Sequence, residues 1–125
     1  MQSRFDVRTV LIVEDEWAIA DWLELLFSEH DFQVLTASNG RAALEILQGQ
    51  VPDLVLTDFM MPNLDGAGLA AAMQDDARLK DIPLVVMTSL VEERVKQRIR
   101  GHRAYLRKPF READLLKVIT DIFGK

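Results

Sequence analysis

The chain has 125 residues and no cysteine, with a hydrophobic content of 49%, a charged content of 28% and a formal net charge of −5. This composition is that of an ordinary globular protein, and the absence of cysteine excludes disulfides, thiolate metal sites and cysteine nucleophiles. No apolar stretch approaches the roughly 20 residues that a membrane span requires, and no signal-peptide pattern is present. We therefore expect one cytoplasmic domain over residues 1–125, with no membrane partner.

In chain order, short apolar runs typical of strands alternate with segments in which apolar residues have helical spacing. The predicted strands are Thr9–Val13, Gln33–Ala37, Leu54–Thr57, Pro83–Met87 and Ala104–Leu106. The first helix has an apolar stripe from Ile19 to Phe27, the last has one from Leu115 to Phe123, and the intervening helices start near Arg41, Gly66 and Leu90. This order predicts an α/β fold with a single doubly wound, five-stranded parallel sheet flanked by five helices.

The third strand ends on an aspartate. Residues 54–56 form the continuous apolar run of a strand buried on both faces, and Asp58 falls at its carboxyl end. Pro62 lacks the amide that a strand needs, and Asp65 is available as the N-cap of a helix that starts at Gly66. Because doubly wound sheets bind ligands beyond the carboxyl ends of their strands, Asp58 is a candidate site residue.

The carboxyl ends of the other strands bring further polar residues to the same edge, namely Glu14, Asp15, Thr88 and Lys108. Clustered carboxylates raise one another's pKa, and a cation would relieve them. Carboxylate oxygens suit Mg²⁺, and both histidines, His30 and His102, are expected at the surface outside this cluster. A magnesium ion beside a carboxylate nucleophile, with a lysine and a threonine to hold phosphoryl oxygens, can form an acyl phosphate.

Four segments together resemble the receiver domain of two-component response regulators. They are VLIVEDE (10–16), LVLTDFMMPNLDG (54–66), PLVVMTS (83–89) and YLRKPF (105–110), in the order of the family and with close to its spacing. The resemblance spans essentially the whole chain, and it implies a flavodoxin-like fold with the strand order 2-1-3-4-5. It also implies a signalling domain that catalyses only its own phosphorylation and dephosphorylation, and not an enzyme with a separate substrate.

The resemblance assigns roles at the site. Asp58 matches the phosphoacceptor, which takes a phosphoryl group from the phosphohistidine of a histidine kinase or phosphotransfer protein and becomes 4-aspartylphosphate. Glu14 and Asp15 match the acidic pair that binds Mg²⁺ together with Asp58 and the main-chain carbonyl of Met60. Lys108 matches the ammonium that pairs with the phosphoryl group.

The resemblance also implies a conformational switch. Thr88 matches the hydroxyl that moves to the phosphoryl group, and Tyr105 matches the aromatic residue that turns inward with it. The alternative for Tyr105 is a core tyrosine with its hydroxyl at the surface. Pro109 matches a residue that family members hold after a cis peptide bond. The switch is expected to act on an output surface formed by helix 4, strand 5 and helix 5.

Charge is distributed unevenly along the chain. Residues 1–31 contain eight acids and two bases, whereas residues 94–108 contain seven bases and no acid. These bases are Arg94, Lys96, Arg98, Arg100, Arg103, Arg107 and Lys108. Such a run usually means a solvated helix face. The alternative is an output surface that binds an acidic partner or a fused output domain, whereas direct DNA binding is disfavoured because the whole domain is acidic and shows no recognition helix.

The segment between Thr88 and Lys108 departs from the family. It is about two residues shorter than family members lead us to expect, and its apolar stripe contains only Val91, Val95 and Ile99. β-Branched residues are mediocre helix formers, so we expect a short or mobile fourth helix that starts with a capping box at Ser89. His102, Arg103 and Ala104 stand where the family often has acids, which argues against a symmetric dimer through this face.

Two other functions fit parts of the pattern. A magnesium-dependent phosphohydrolase also forms an aspartyl phosphate, but it typically carries a second aspartate two residues after the nucleophile, where this chain has Met60. A degenerate receiver would bind partners without phosphorylation, which the intact set of site residues disfavours. The chain is expected to be either a stand-alone receiver or a part of a longer regulator.

Overall fold

The computed structural model describes residues 8–61, 63–90, 92–99 and 102–124. The strands are β1 (Thr9–Val13), β2 (Gln33–Ala37), β3 (Leu54–Asp58), β4 (Leu84–Thr88) and β5 (Ala104–Arg107). The helices are α1 (Trp17–Glu29), α2 (Gly40–Gly49), α3 (Gly66–Gln74), α4 (Glu92–Arg98) and α5 (Glu112–Phe123). The strands form one parallel sheet in the order β2-β1-β3-β4-β5, which confirms the predicted fold class and strand order.

The core lies in two layers, one on each face of the sheet. Neighbouring residues of a strand point to opposite faces, so Leu11 and Val13 of β1 belong to one layer and Val10 and Ile12 to the other. Helices α1 and α5 cover one face, and α2, α3 and Val95 of α4 cover the other. Among the described helices, none is both long and apolar enough to cross a membrane.

The strands β3, β4 and β5 each end one residue later than predicted. Their last residues are polar, yet they remain in the parallel ladder, where Asp58 pairs with Met87 and Thr88 pairs with Arg107. The sheet thus carries Asp58 and Thr88 on fixed backbone instead of on loops. Both residues are buried, at 7% and 2% exposure.

The start of α3 is held close to the end of β3. The Asp65 side chain caps this helix, as predicted, because its Oδ1 atom accepts a hydrogen bond of 2.9 Å from the Gly68 amide. The Gly66 amide donates to the Phe59 carbonyl at 2.8 Å. A Cβ atom on Gly66 would lie 2.9 Å from both the Asp58 carbonyl oxygen and the Phe59 Cα, so only glycine allows this close approach.

Helix α4 is short, as predicted, with seven residues. It begins at Glu92, later than the Ser89 capping box indicates, and residue 91 lies outside the described residues. The two described members of its apolar stripe, Val95 and Ile99, are both buried. Their burial attaches α4 to the sheet face that α2 and α3 also cover.

Candidate functional site

Three carboxylates meet at the carboxyl edge of the sheet. Strands β1 and β3 are neighbours in parallel register, with Val13 opposite Thr57, so the residues that follow them lie side by side. Glu14, Asp15 and Asp58 can each offer one carboxylate oxygen such that all three oxygens lie within 4.8 Å of one another. The cluster that the sequence predicted from strand ends is thus present in the fold.

Lys108 follows β5 and reaches this cluster at the same carboxyl edge, from the strands on the β4 side of β3. Its backbone amide donates to the Thr88 carbonyl at 2.8 Å, which extends the pairing of β4 and β5 by one residue. From there, the Nζ atom lies 2.9 Å from Glu14 Oε1 and 3.5 Å from Asp58 Oδ2. The ammonium therefore bridges two of the three carboxylates.

Burial dominates the electrostatics of the site. It raises the pKa of both Glu14 and Asp58, because a buried carboxylate loses its hydration; neighbouring acids add to this effect and Lys108 opposes it. Burial also acts to lower the pKa of Lys108, but its hydrogen bond to Glu14 and the charge of Asp58 outweigh burial, and the pKa is raised. One cation thus faces three acids, and negative charge is left in excess.

The donor set fits a hard divalent cation. It consists of carboxylate oxygens alone, the ligands that Mg²⁺ prefers. Neither histidine contributes. His30 is exposed, as predicted, and its Nε2 lies 3.9 Å from a carboxylate oxygen of Glu112. His102 is only partly at the surface, contrary to the prediction. It is half-buried, and its Nδ1 atom is buried without a hydrogen-bond partner among the described residues.

Thr88 and Tyr105 bind the same residue, Leu90. The Leu90 amide donates to Thr88 Oγ1 at 3.2 Å, and the Tyr105 hydroxyl donates to the Leu90 carbonyl oxygen. The Tyr105 hydroxyl therefore has a main-chain partner. The link through Leu90 was missed by sequence reasoning, because main-chain groups leave no signal in the residue pattern.

An apolar groove adjoins the carboxylate cluster. It has a volume of about 500 Å³ and is lined by Ile19, Trp22, Ser89, Lys108, Pro109 and Phe110. The rings of Trp22 and Phe110 lie 5.9 Å apart, and the Lys108–Pro109 peptide bond is cis, as the resemblance implies. The groove combines α1 with the loop after β5, and sequence reasoning missed it because it had assigned the stripe of α1 to the core.

The basic run is partly neutralised within the fold. Arg98 pairs with Asp65 at 3.4 Å, and Lys96 lies 3.8 Å from a carboxylate oxygen of Glu92. An Arg103 guanidinium nitrogen donates to the uncharged main-chain carbonyl of Asp121 at 3.4 Å, which does not neutralise its charge. Arg100 lies outside the described residues. Arg94 and Arg107 are exposed, and within the described chain neither forms an ion pair.

The chain is similar to known proteins over most of its length. Residues 10–120 match the family model described as the response regulator receiver domain. The chain is 38% identical over 108 residues to "Probable transcriptional regulator ycf27" of Guillardia theta, and 34% identical over 117 residues to protein PilH of Pseudomonas aeruginosa. These matches cover 85% and 92% of the chain, and they cover 41% of the ycf27 protein and 97% of PilH.

Solved structures extend the likeness to three dimensions. The crystal structure of response regulator protein TrrA from Thermotoga maritima, in complex with Mg(2+)-BeF, matches this fold with a TM-score of 0.84 and 25% sequence identity. The match covers 94% of this chain and all of that one, at 100%. Several curated relatives are longer proteins, of which the chain spans between 41% and 52%.

Proposed function

The chain belongs to the response regulator receiver domain family, and from this premise we propose that it accepts a phosphoryl group on Asp58 from the phosphohistidine of a histidine kinase or phosphotransfer protein. The observation that carries the proposal is the position of Asp58. It ends a central strand, beside the acidic pair Glu14 and Asp15, with the Lys108 ammonium 3.5 Å from its carboxylate.

The proposed transfer is an in-line displacement. A carboxylate oxygen of Asp58 forms a bond to phosphorus, the bond from phosphorus to the donor imidazole nitrogen breaks, and the imidazole leaves with the bonding electron pair. Lys108 has a side chain that is only 18% exposed and can pair with a phosphoryl oxygen after a small shift from Glu14. The buried setting strengthens that pairing, because charges attract more strongly away from water.

We assign the cation site to Glu14, Asp15, Asp58 and the main-chain carbonyl of Met60. When bound there, Mg²⁺ would offset the negative charge that the phosphoryl oxygens add to an already acidic site. The excess of carboxylates over Lys108 supports this assignment.

The switch is proposed to act through Leu90. In the structure, Thr88 Oγ1 accepts a hydrogen bond of 3.2 Å from the Leu90 amide. When the hydroxyl moves to the phosphoryl group, this hydrogen bond breaks. Tyr105 holds the carbonyl of the same residue, so a displacement of the Leu90 backbone is transmitted to the Tyr105 ring. The movement of Thr88 thereby reaches β5 and the segment that leads into α4.

The groove next to the site is the proposed docking surface for the phosphodonor protein. A donor histidine must bring its ring within bonding distance of Asp58, so its own surface must contact the rim of the site. Trp22 and Phe110 form an apolar part of that rim, which the donor protein would contact. Aromatic side chains are enriched among the residues that contribute most to binding at protein interfaces.

The output partner is proposed to be acidic, either as a separate protein or as a fused domain. Arg94 of α4 and Arg107 of β5 are exposed bases of the output surface, and neither forms an ion pair within the described chain. An acidic partner would supply the missing countercharge, and its association would be steered by these two arginines.

Intact mass after incubation with acetyl phosphate and Mg²⁺ tests the proposal. We expect one phosphoryl group on the wild-type protein, none on Asp58→Asn and none in excess EDTA. Continuous phosphate release with no stable adduct would favour the phosphohydrolase alternative. An unmodified wild-type protein, or an Asp58→Asn protein labelled at the wild-type rate, would contradict the proposed site.

A further inference from the structure

One side chain of α4 contacts both ends of the loop that follows Asp58. The Arg98 Nη2 atom lies 3.4 Å from Asp65 Oδ2, and the guanidinium carbon lies 5.4 Å from the centre of the Phe59 ring. Phe59 is the first residue after Asp58, and Asp65 is the last before α3. The hydrogen bond from Gly66 to Phe59 closes the loop between them, so Arg98 contacts it where its two ends meet.

Within the part of the chain that the structure describes, helix α4 makes few contacts besides those of Arg98. Its seven residues are too few for a stable isolated helix, so its position depends on contacts with the rest of the fold. Val95 and Ile99 supply the buried contacts. Between α3 and α4 lies a groove of about 470 Å³ whose α3 wall consists largely of small or polar residues, including Ala67 and Ala71, and this space allows α4 to shift.

We propose that Arg98 restrains α4 in the position of the unphosphorylated protein, through its ion pair with Asp65 and its contact with the Phe59 ring. The proposal rests on the function assigned above to Asp58, because the restraint is to be released when that residue is phosphorylated. The contact is an autoinhibitory one, since it stabilises the arrangement in which the output surface has not switched. Breaking it shifts the population of α4 toward the switched arrangement.

Asp65 uses one carboxylate oxygen to cap α3 and the other to pair with Arg98, so the two roles can be tested separately. Oδ1 caps α3 through the Gly68 amide, whereas Oδ2 faces Arg98. Asparagine is as good an N-cap as aspartate, so Asp65→Asn keeps the cap and removes the charge that Arg98 needs. Arg98→Ala removes the other partner, and Arg94→Ala removes an arginine of the same helix that forms no ion pair within the described chain.

Amide hydrogen exchange of the unphosphorylated protein tests the restraint. Both groups are partly exposed, so we expect a modest effect: about two- to tenfold faster exchange in α4 for Arg98→Ala and for Asp65→Asn. The double variant should exchange no faster than Arg98→Ala, because Asp65 has no ion pair with residue 98 left to lose once the arginine is removed. Arg94→Ala should exchange like the wild type. Unchanged exchange in Arg98→Ala, or additive effects in the double variant, would overturn the proposal.

The same measurement after phosphorylation tests the regulatory part. The phosphorylated wild type should exchange in α4 like Arg98→Ala, and the substitution should then have no further effect. An equal acceleration by Arg98→Ala before and after phosphorylation would show a structural contact without regulation and would overturn the proposal. A wild-type protein that takes no phosphoryl group would contradict the function of Asp58, whereas the unphosphorylated comparison would still decide the restraint.

Discussion

The buried carboxylate of Asp58 destabilises the folded protein. Burial raises its pKa above the ordinary value of 3.8, so its ionisation is harder in the folded protein than in the unfolded chain. Below pH 3.8 both states bind the proton and stability is unaffected; the destabilisation develops as the pH rises from 3.8 to the raised pKa and is complete above it. At neutral pH the raised pKa of Asp58 therefore lowers the free energy of unfolding.

Asp58→Asn should accordingly stabilise the protein in the absence of Mg²⁺. Asparagine has the same shape without the charge, and we expect Tm at pH 7 to rise by roughly 2–6 °C, a range typical of small domains. The difference should shrink as the pH is lowered toward 3.8. Thermal unfolding at several pH values measures it. A lower Tm for Asp58→Asn at pH 7 would mean that the attraction of Lys108 outweighs burial.

Met60 should influence how long the phosphoryl group persists. Its side chain is 60% exposed and apolar, and it stands two residues after Asp58, so it cannot orient an attacking water. We expect Met60→Asn to shorten the phosphoryl half-life several-fold, and Met60→Leu to leave it nearly unchanged. Loss of label in pulse–chase phosphorylation gives both values. Equal half-lives for the three proteins would show that this side chain does not control water.

At the scale of elements, the sequence predicts most of what the site needs. Parallel strands end at one edge of the sheet, so the positions of the strands alone predict that Glu14 and Asp15 after β1, Asp58 at the end of β3 and Lys108 after β5 lie close together. The pair between Arg98 and Asp65 could not be predicted in this way, because the two residues lie in different elements and no periodic pattern connects them. The predicted start of α4 near Leu90 lies within two residues of Glu92, where the described helix begins.

The approach of α3 to β3 gives a prediction at this scale. Gly66→Ala places a Cβ 2.9 Å from backbone atoms of Asp58 and Phe59, so the loop that carries Met60 must shift. We expect the rate of phosphorylation by acetyl phosphate to fall at least tenfold, because misplaced reacting groups lose much of their advantage. Gly49→Ala is the matched control, since a Cβ there meets nothing within 4 Å. Equal rates in the two variants would contradict this account.

For the whole molecule, the proposed donor groove and helix α4 lie on opposite faces of the doubly wound sheet. The donor groove lies between α1 and the loop after β5, whereas α4 lies on the opposite face of the sheet, with α2 and α3. Asp58 and Thr88 sit at the edge between the two faces. A protein bound at the proposed groove would therefore leave α4 accessible, although α5 of the output surface lies on the same face as the groove.

Exposed charge should control the output side of this arrangement. We expect Arg94→Glu combined with Arg107→Glu to weaken binding of an acidic output partner, and to remove most of its salt dependence, because exposed charges are screened beyond roughly 8 Å at physiological ionic strength. Labelling of Asp58 by acetyl phosphate should be unaffected in the same variant. Titrations at several salt concentrations measure the effect. Wild-type affinity at every salt concentration would show that the two arginines form only a solvated face.

The junction at Leu90 has a consequence for how such a domain can vary. Thr88 and Tyr105 hold the amide and the carbonyl of this residue, and neither bond involves its side chain. Every amino acid except proline supplies the same two groups, so the connection survives almost any substitution at position 90. The side chain there is free to be selected for other tasks, such as the access of water, while the proposed link between Thr88 and Tyr105 depends only on the backbone of residue 90.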